Sequence, residues 1–571
     1  MKKIFQISRY KLLVLLLLVV FVFTNQTTVF QNKDSTSTYK KGMVVTANPI
    51  ASNIGVEVLK KGGNAVDAAV AVSFALAVCH PSAGNLGGGG FMVFRFSDGT
   101  NAALDFRETA PQKAHKNLFL DSTGNVIKGL SNNSTLAAGI PGSVDGIITA
   151  HTKYGTLPFA DLIQPAIELA TKGFPLTEMQ ANALNNLKDE FKTRNRKPVA
   201  FVKDKTWQKG DTLKQPDLAM TLTLIRDNGR DGFYKGKIAN LIVSEMRYTK
   251  GIITHRDLDE YFSKWRKPIV GHYKGYKIIT MPPSSSGGIA LMQMLKMIEP
   301  FPLQKYGFQS AKAVHLMTEV QRRAFADRAK YLGDADFYPV PVADLLDSNY
   351  LAKRMANFDE NLATKSADIK YTIKVPYESA ETTHFSIVDA NQNSVSCTTT
   401  LNSSFGSKIV VSGAGFILND EMDDFSSKEG TTNQFHLLQS RGNLVEPNKR
   451  PLSSMTPTII EKNNKLFMAV GSPGGPNIIT SVFETIVNVI EFNMTMQQAV
   501  DARRFHNQWF PDQIDYETSA FNDKLIKELK AKGHTLNPVS TFGRVDAVLI
   551  FADSTMQGGA DPRGNDAAAG F

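Results

Sequence analysis

The sequence predicts an α/β sandwich. Helical periodicities dominate the chain up to about residue 380, whereas short strands separated by turn residues dominate after Thr382. Strands arranged in a layer bury both faces only when helices cover them. The 571 residues, 42% hydrophobic and 21% charged, supply enough apolar material for a large core.

In chain order, Lys41 to about Ala77 reads as two helices broken at Gly62-Gly63. The glycine run in "GNLGGGGFMVFRF" leads into a strand. Helical patterns recur through 158–192, 214–248 and 310–332, with strand pairs around 92–106 and 270–281. Residues 354–381 are polar and punctuated, which predicts a mobile connection. Beyond Thr382, "HFSIVDA", "NSVSCTTTL", "KIVVSGAGFIL", "TPTIIEKN" and "KLFMAVGSP" read as strands. Helical stretches follow at 477–493 and 495–503, and a last strand pair lies near 545–560.

The start of the chain predicts export. Four cations in "MKKIFQISRYK" precede an apolar run, "LLVLLLLVVFVF" at 12–23, which is too short to span a bilayer comfortably. Residues 1–24 are read as a signal peptide or signal anchor and 25–40 as a polar leader. The net charge of +10 is spread along the chain, with no basic run interleaved with aromatics, so nucleic-acid binding is not expected. Cys79 and Cys397 allow one disulfide at most and are read as buried free thiols. The ten histidines form no metal-binding motif, and no G-x-S-x-G elbow is present, so no metal centre and no serine-hydrolase site is expected.

The stretch "ESAETTHFSI" at 378–387 carries the chemistry. A hairpin turning at "DANQN" pairs Val388 with Ser394 and so sets Thr382 opposite Thr400. If the chain is cut before Thr382, hydroxyl and free α-amine share one residue, and that amine titrates near neutrality, as a base must. The plainer alternative is a Thr–Thr pair that only stabilises a sheet. His384 shares the face of Thr382 and packs or hydrogen-bonds nearby. Gly474-Gly475, before a helical run, could present N–H groups to an oxyanion or simply make a tight turn. Ser453 and Ser454 precede a strand. Asp420, Glu421, Asp423 and Asp424 read as a solvated loop or a calcium site, although the spacing is not that of an EF-hand.

Taken together, "LDFRETAP", "ETTHFSIVD", "TLNSSFG", "MDDFS", "PNKRPLSSM" and "GSPGG" resemble, in order and spacing, the γ-glutamyltransferases, with "GGNAVDAAVA" and "GNLGGGGF" upstream. The resemblance covers Lys41 to Phe571. It implies an αββα sandwich of the N-terminal-nucleophile hydrolase type and a precursor that cuts itself between Glu381 and Thr382. The products would be a large subunit, 41–381, and a small subunit, 382–571, forming a heterodimer. Thr382 would be the nucleophile, Thr400 its hydrogen-bonded partner, and Gly474 and Gly475 the oxyanion hole. Arg107, Ser453 and Ser454 would hold the substrate α-carboxylate, and Asn402, Glu421 and Asp424 its α-amino group. Small-molecule γ-glutamyl compounds such as glutathione would be substrates, amino acids or peptides acceptors, and no cofactor is implied. Phe435 falls where a lid segment, 429–440, usually carries tyrosine. The rival readings are a glutaryl or cephalosporin acylase and a non-catalytic exported binding protein of the same fold.

Overall fold

The computed structural model describes residues 38–369, 382–431, 433–434, 437 and 441–571. The signal segment, most of the leader, the end of the 354–381 connection including Glu381, and Phe435 lie outside the described residues.

Two seven-stranded antiparallel sheets form the centre. Their strands, in chain order, are β1 (Thr38–Tyr39), β2 (Gly42–Thr46), β3 (Gly89–Arg95), β4 (Asn101–Asp105), β5 (Lys264–Arg266), β6 (Ile269–Tyr273), β7 (Tyr276–Thr280), β8 (Thr383–Asp389), β9 (Ser394–Thr400), β10 (Thr458–Lys462), β11 (Lys465–Gly471), β12 (Asp546–Ile550), β13 (Met556–Gly559) and β14 (Ala567–Gly570). One sheet runs β14-β2-β8-β9-β3-β4-β5 and the other β1-β13-β12-β11-β10-β7-β6.

Side-chain alternation sorts these strands into three cores and so fixes the layers. Met43, Val45, Phe91 and Val93 of the first sheet meet Ile459, Ala469, Val548 and Ile550 of the second in one cluster between the sheets. Their neighbours Val44, Met92 and Phe94 point the other way, into a cluster shared with helices α1 (Pro49–Lys60) and α2 (Ala65–Cys79). Ile460, Met468, Ala547 and Leu549 face a third cluster with α3 (Gly287–Ile298), α4 (Ala311–Tyr331) and α5 (Asn477–Phe492). The order helix, sheet, sheet, helix is the expected αββα sandwich. Helix α2 is buried on every side, which suits its run of alanines and valines, and a reciprocal Asn64–Asp67 capping box starts it. No helix of the described residues is long and apolar enough to cross a membrane.

Two readings are corrected. Residues 42–46, expected to continue a helical region, form strand β2, buried between β14 and β8. A strand covered on both faces shows no alternation, so its short apolar run was ambiguous. "KIVVSGAGFIL" forms no strand; it folds back through Gly413 and Gly415, at φ 81° and 78°, leaving one bridge between Val410 and Ile417. Cys79 and Cys397 are buried free thiols as expected, and burial pushes Cys79 up to about 12.

The glycine run earns its place in the packing of β3 against β9. A β-carbon on Gly88 would lie 2.0 Å from the Thr400 carbonyl oxygen, and one on Gly90 2.4 Å from that of Thr398. Gly88→Ala is therefore expected to cost about 1–3 kcal/mol of stability by forcing the strands apart. Thermal unfolding checks this: an unchanged midpoint would mean that the strand pair yields freely.

Candidate active site

The β8–β9 hairpin has the register read from its turn, with Val388 opposite Ser394 and Thr383 opposite Thr399. Thr382 directly precedes β8, and continuing the register by one residue sets it beside Thr400. On its other side Thr400 pairs with Gly89 of β3. Because β3 and β4 form a hairpin with Phe91 opposite Asp105, the chain leaving β4 delivers Arg107 to this same end of the sheet. Ser453 bridges to Ser285 ahead of β10, and Gly475 lies in the loop between β11 and α5. The second sheet thus contributes from across the sandwich.

Thr382, Thr400, Arg107, Asn402, Glu421, Asp424, Ser453, Ser454 and Gly475 line one small cavity of about 20 Å³. Gly474 adjoins it in the chain. The two glycines have φ of 126° and 55°, backbone that side chains rarely adopt. The Thr400 hydroxyl accepts the Asn402 N–H at 2.8 Å, and the Asn402 side chain donates to the Asp420 carbonyl at 2.9 Å.

Arg107 is buried. Its guanidinium donates to both Glu421 and Asp424, lies 3.6 Å from Glu108, and donates Nε–H to the Pro451 carbonyl at 3.3 Å. Tyr261 holds the Arg107 carbonyl at 2.9 Å. Burial works against the arginine's charge, but the carboxylates of Glu421, Asp424 and Glu108 outweigh it. Burial also raises the carboxyls of Glu421 and Asp424, against the pull of Arg107, and lifts Glu108 to about 7. Neither Glu108 oxygen accepts a hydrogen bond among the described residues.

The acidic run 420–424 is no solvated loop: Glu421–Asp424 form a buried 3₁₀ turn. Asp423 accepts the Ser131 hydroxyl at 2.5 Å and the Gln434 N–H at 2.9 Å, and burial lifts it to about 7. Within the expected lid segment, Asn433 donates to Asp424 at 3.0 Å and Leu437 lines the cavity. His384 packs as expected: its ring bonds Thr398 at 2.8 Å and Ser386 at 3.1 Å, and burial drives it down to about 3, so it is neutral.

Sequence reasoning missed Arg328, a buried residue of α4 that also lines the cavity. No sequence period marks it, because the helix is buried on all sides from Ala313 to Arg328. The fold also gathers His315, Glu319 and His534, whose ligand atoms lie within 4.8 Å of one another. These groups already hold each other. The imidazoles bond at 2.7 Å, His315 bonds the Asp359 carbonyl at 2.8 Å, and Glu319 accepts from Arg323 and from the Thr364 N–H.

The γ-glutamyltranspeptidase family profile matches residues 51–571. A glutathione hydrolase proenzyme of Pseudomonas sp. strain A14 is 46% identical over 541 residues, covering 93% of this chain and 94% of that protein. The glutathione hydrolase proenzyme of Escherichia coli K12 is 45% identical over 535 residues, covering 93% and 92%. Among solved structures, a cephalosporin acylase from Bacillus halodurans superposes with a TM-score of 0.83 at 25% identity, covering 96% of this chain and 98% of that one. The chain belongs to the γ-glutamyltranspeptidase family and is an enzyme with the N-terminal-nucleophile hydrolase fold.

Proposed function

We propose that this chain is a self-processing γ-glutamyl hydrolase and transferase, acting on the γ-glutamyl amide bond of glutathione and related compounds. The observation that carries the reading is the company kept by Arg107. One cavity joins two guanidiniums, two carboxylates and two threonine hydroxyls, and Arg107 meets carboxylates 314 and 317 residues further along the chain. An α-amino acid head group, with one carboxylate and one ammonium, complements that set in charge and hydrogen bonding.

Self-cleavage between Glu381 and Thr382 would free the Thr382 α-amine and leave subunits 41–381 and 382–571 as a heterodimer. The amine takes the hydroxyl proton while Oγ1 attacks the γ-carbonyl carbon. Thr400 orients the hydroxyl, and the N–H groups of Gly474 and Gly475 face the developing oxyanion. Collapse breaks the C–N bond, the departing amine takes the proton, and a γ-glutamyl ester remains on Thr382. Water resolves the ester to glutamate, and an amino acid or peptide amine resolves it to a new γ-glutamyl amide. Meanwhile Arg107, Ser453 and Ser454 hold the α-carboxylate, and Asn402, Glu421 and Asp424 the ammonium. The acylase reading fits less well, because a glutaryl group has no ammonium and would leave two buried carboxylates without that partner. The cationic start and apolar run at 1–24 support placement outside the cytoplasm.

Intact-mass and N-terminal sequencing of the purified protein test the reading. A fragment of about 21 kDa beginning Thr-Thr-His-Phe-Ser is expected, lost in Thr382→Ala; a chain that stays whole would move the binding-protein reading to first place. The pH dependence has a definite sign. Burial raises the Glu421 and Asp424 carboxyls, so they take up protons earlier than ordinary carboxyls as pH falls, and the grip on ammonium is lost with their charge. KM for a γ-glutamyl anilide should therefore climb from neutral to acid pH. Glu421→Gln should raise KM about fivefold at neutral pH, roughly 1 kcal/mol, and flatten the climb. An unchanged KM profile in that variant would remove Glu421 from the ammonium site.

A further inference from the structure

Arg328 is a buried cation with an unusual set of partners. It sits in the last turn of α4, lines the same cavity as Thr382 and Arg107, and is only 2% exposed. Among the described residues no carboxylate lies within ion-pair distance of it. Its guanidinium instead donates Nε–H to the Ser286 hydroxyl at 2.9 Å and Nη2–H to the Ser454 hydroxyl at 3.3 Å. Ser286 passes the contact on, since its hydroxyl donates to the Ser453 carbonyl at 2.6 Å and its N–H to the same oxygen at 2.8 Å. One arginine thus braces both members of the Ser453–Ser454 pair from behind, one directly and one through Ser286.

A buried guanidinium without a counter-ion is costly, and folds keep one where a charge arrives to complete it. Burial lowers this arginine to about 10, eased only by the more distant Asp424. The other cation that lines the cavity, Arg107, is already shared among Glu421, Asp424 and Glu108. An incoming carboxylate that meets Ser454 finds a hydroxyl whose oxygen already accepts from a cation. Such a hydroxyl is a stronger donor and turns its proton away from the arginine, towards the cavity.

We propose that Arg328 is a positioning residue for substrate selection: it orients and polarises Ser454, steadies Ser453 through Ser286, and supplies the second positive charge that selects ligands bearing a free α-carboxylate. The proposal rests on the γ-glutamyl reading above and adds the residue that makes its serine pair selective. Arg328 touches no reacting atom.

The test uses the processed enzyme and compares competitive inhibition by L-glutamate with that by 4-aminobutanoate, which keeps the amine and lacks the α-carboxylate. In Arg328→Gln, the inhibition constant for L-glutamate and KM for a γ-glutamyl anilide should each rise about tenfold to hundredfold, the range for losing a charge-assisted hydrogen bond. The constant for 4-aminobutanoate should change less than about threefold, so the preference for the carboxylate collapses. Arg328→Lys, which keeps the charge but not the fork, should restore part of that preference. Equal weakening of both inhibitors, or a fall in kcat alone, would overturn the proposal and leave Arg328 a structural brace. Should the Gln variant fail to process, the inhibitor ratio in Arg328→Lys decides: an undiminished preference with a weakened fold overturns the proposal, a partial loss supports it. Failure of the underlying reading looks different, because the unmodified enzyme would then not prefer L-glutamate at all.

Discussion

The pairing of the β8–β9 hairpin between β2 and β3 is the constraint on which the rest of the structure depends. It puts the residue before β8 and the last residue of β9 at one end of the sheet. It brings the start of β3 to the same place, and with it the chain that leaves β4 toward Arg107. Loops from the second sheet reach that same end, carrying Ser453, Ser454 and Gly475. The β3–β9 pairing itself depends on glycine, since any larger residue at 88 or 90 would collide with a backbone carbonyl of β9. A composition detail of one loop thereby governs the geometry of two threonines.

The same pairing bears on what a cut before Thr382 would leave behind. Strands β2 and β3 come from the part of the chain before the cut, while β8, β9 and β14 come from after it. In this sheet the first piece alone would hold β2 on one side of a hairpin-wide gap and β3, β4 and β5 on the other, with unmet N–H and C=O groups along both facing edges. Such edges template aggregation when left open. The two pieces are therefore not modules that meet at a surface. They share both sheets and all three cores, so separating them means unfolding both.

Much of this was legible in the sequence because it rested on local periodicity or on spacing. The hairpin register followed from five turn residues, and the layers from strands that alternate. The clusters that line the cavity were each visible as short motifs, and the resemblance to a known family ordered them. Strand β2 and the placement of Arg328 at the cavity were not legible, for one shared reason. Strand β2 and the Ala313–Arg328 stretch of α4 are buried on every side, so neither shows the polar and apolar faces from which a side chain's direction is read. Arg328 stands in no motif that singles it out, and the 420–424 run read as a solvated loop or a calcium site. Burial reverses the meaning of a charge, and burial is a property of the assembled fold.

The pairing of Arg107 with Glu421 and Asp424 has a consequence for what can enter the site. These opposite charges satisfy one another across a cavity of about 20 Å³. A lone carboxylate that captured Arg107 would strand two acids, and a lone amine that captured the acids would strand the arginine. Either exchange leaves a buried charge without its partner, at a cost of several kcal/mol. A molecule that presents both charges at the right spacing takes over both sides at once. On the proposed reading the pairing would act as a coincidence detector, answering only to two simultaneous signals, and its discrimination would come from what it withholds as much as from what it binds.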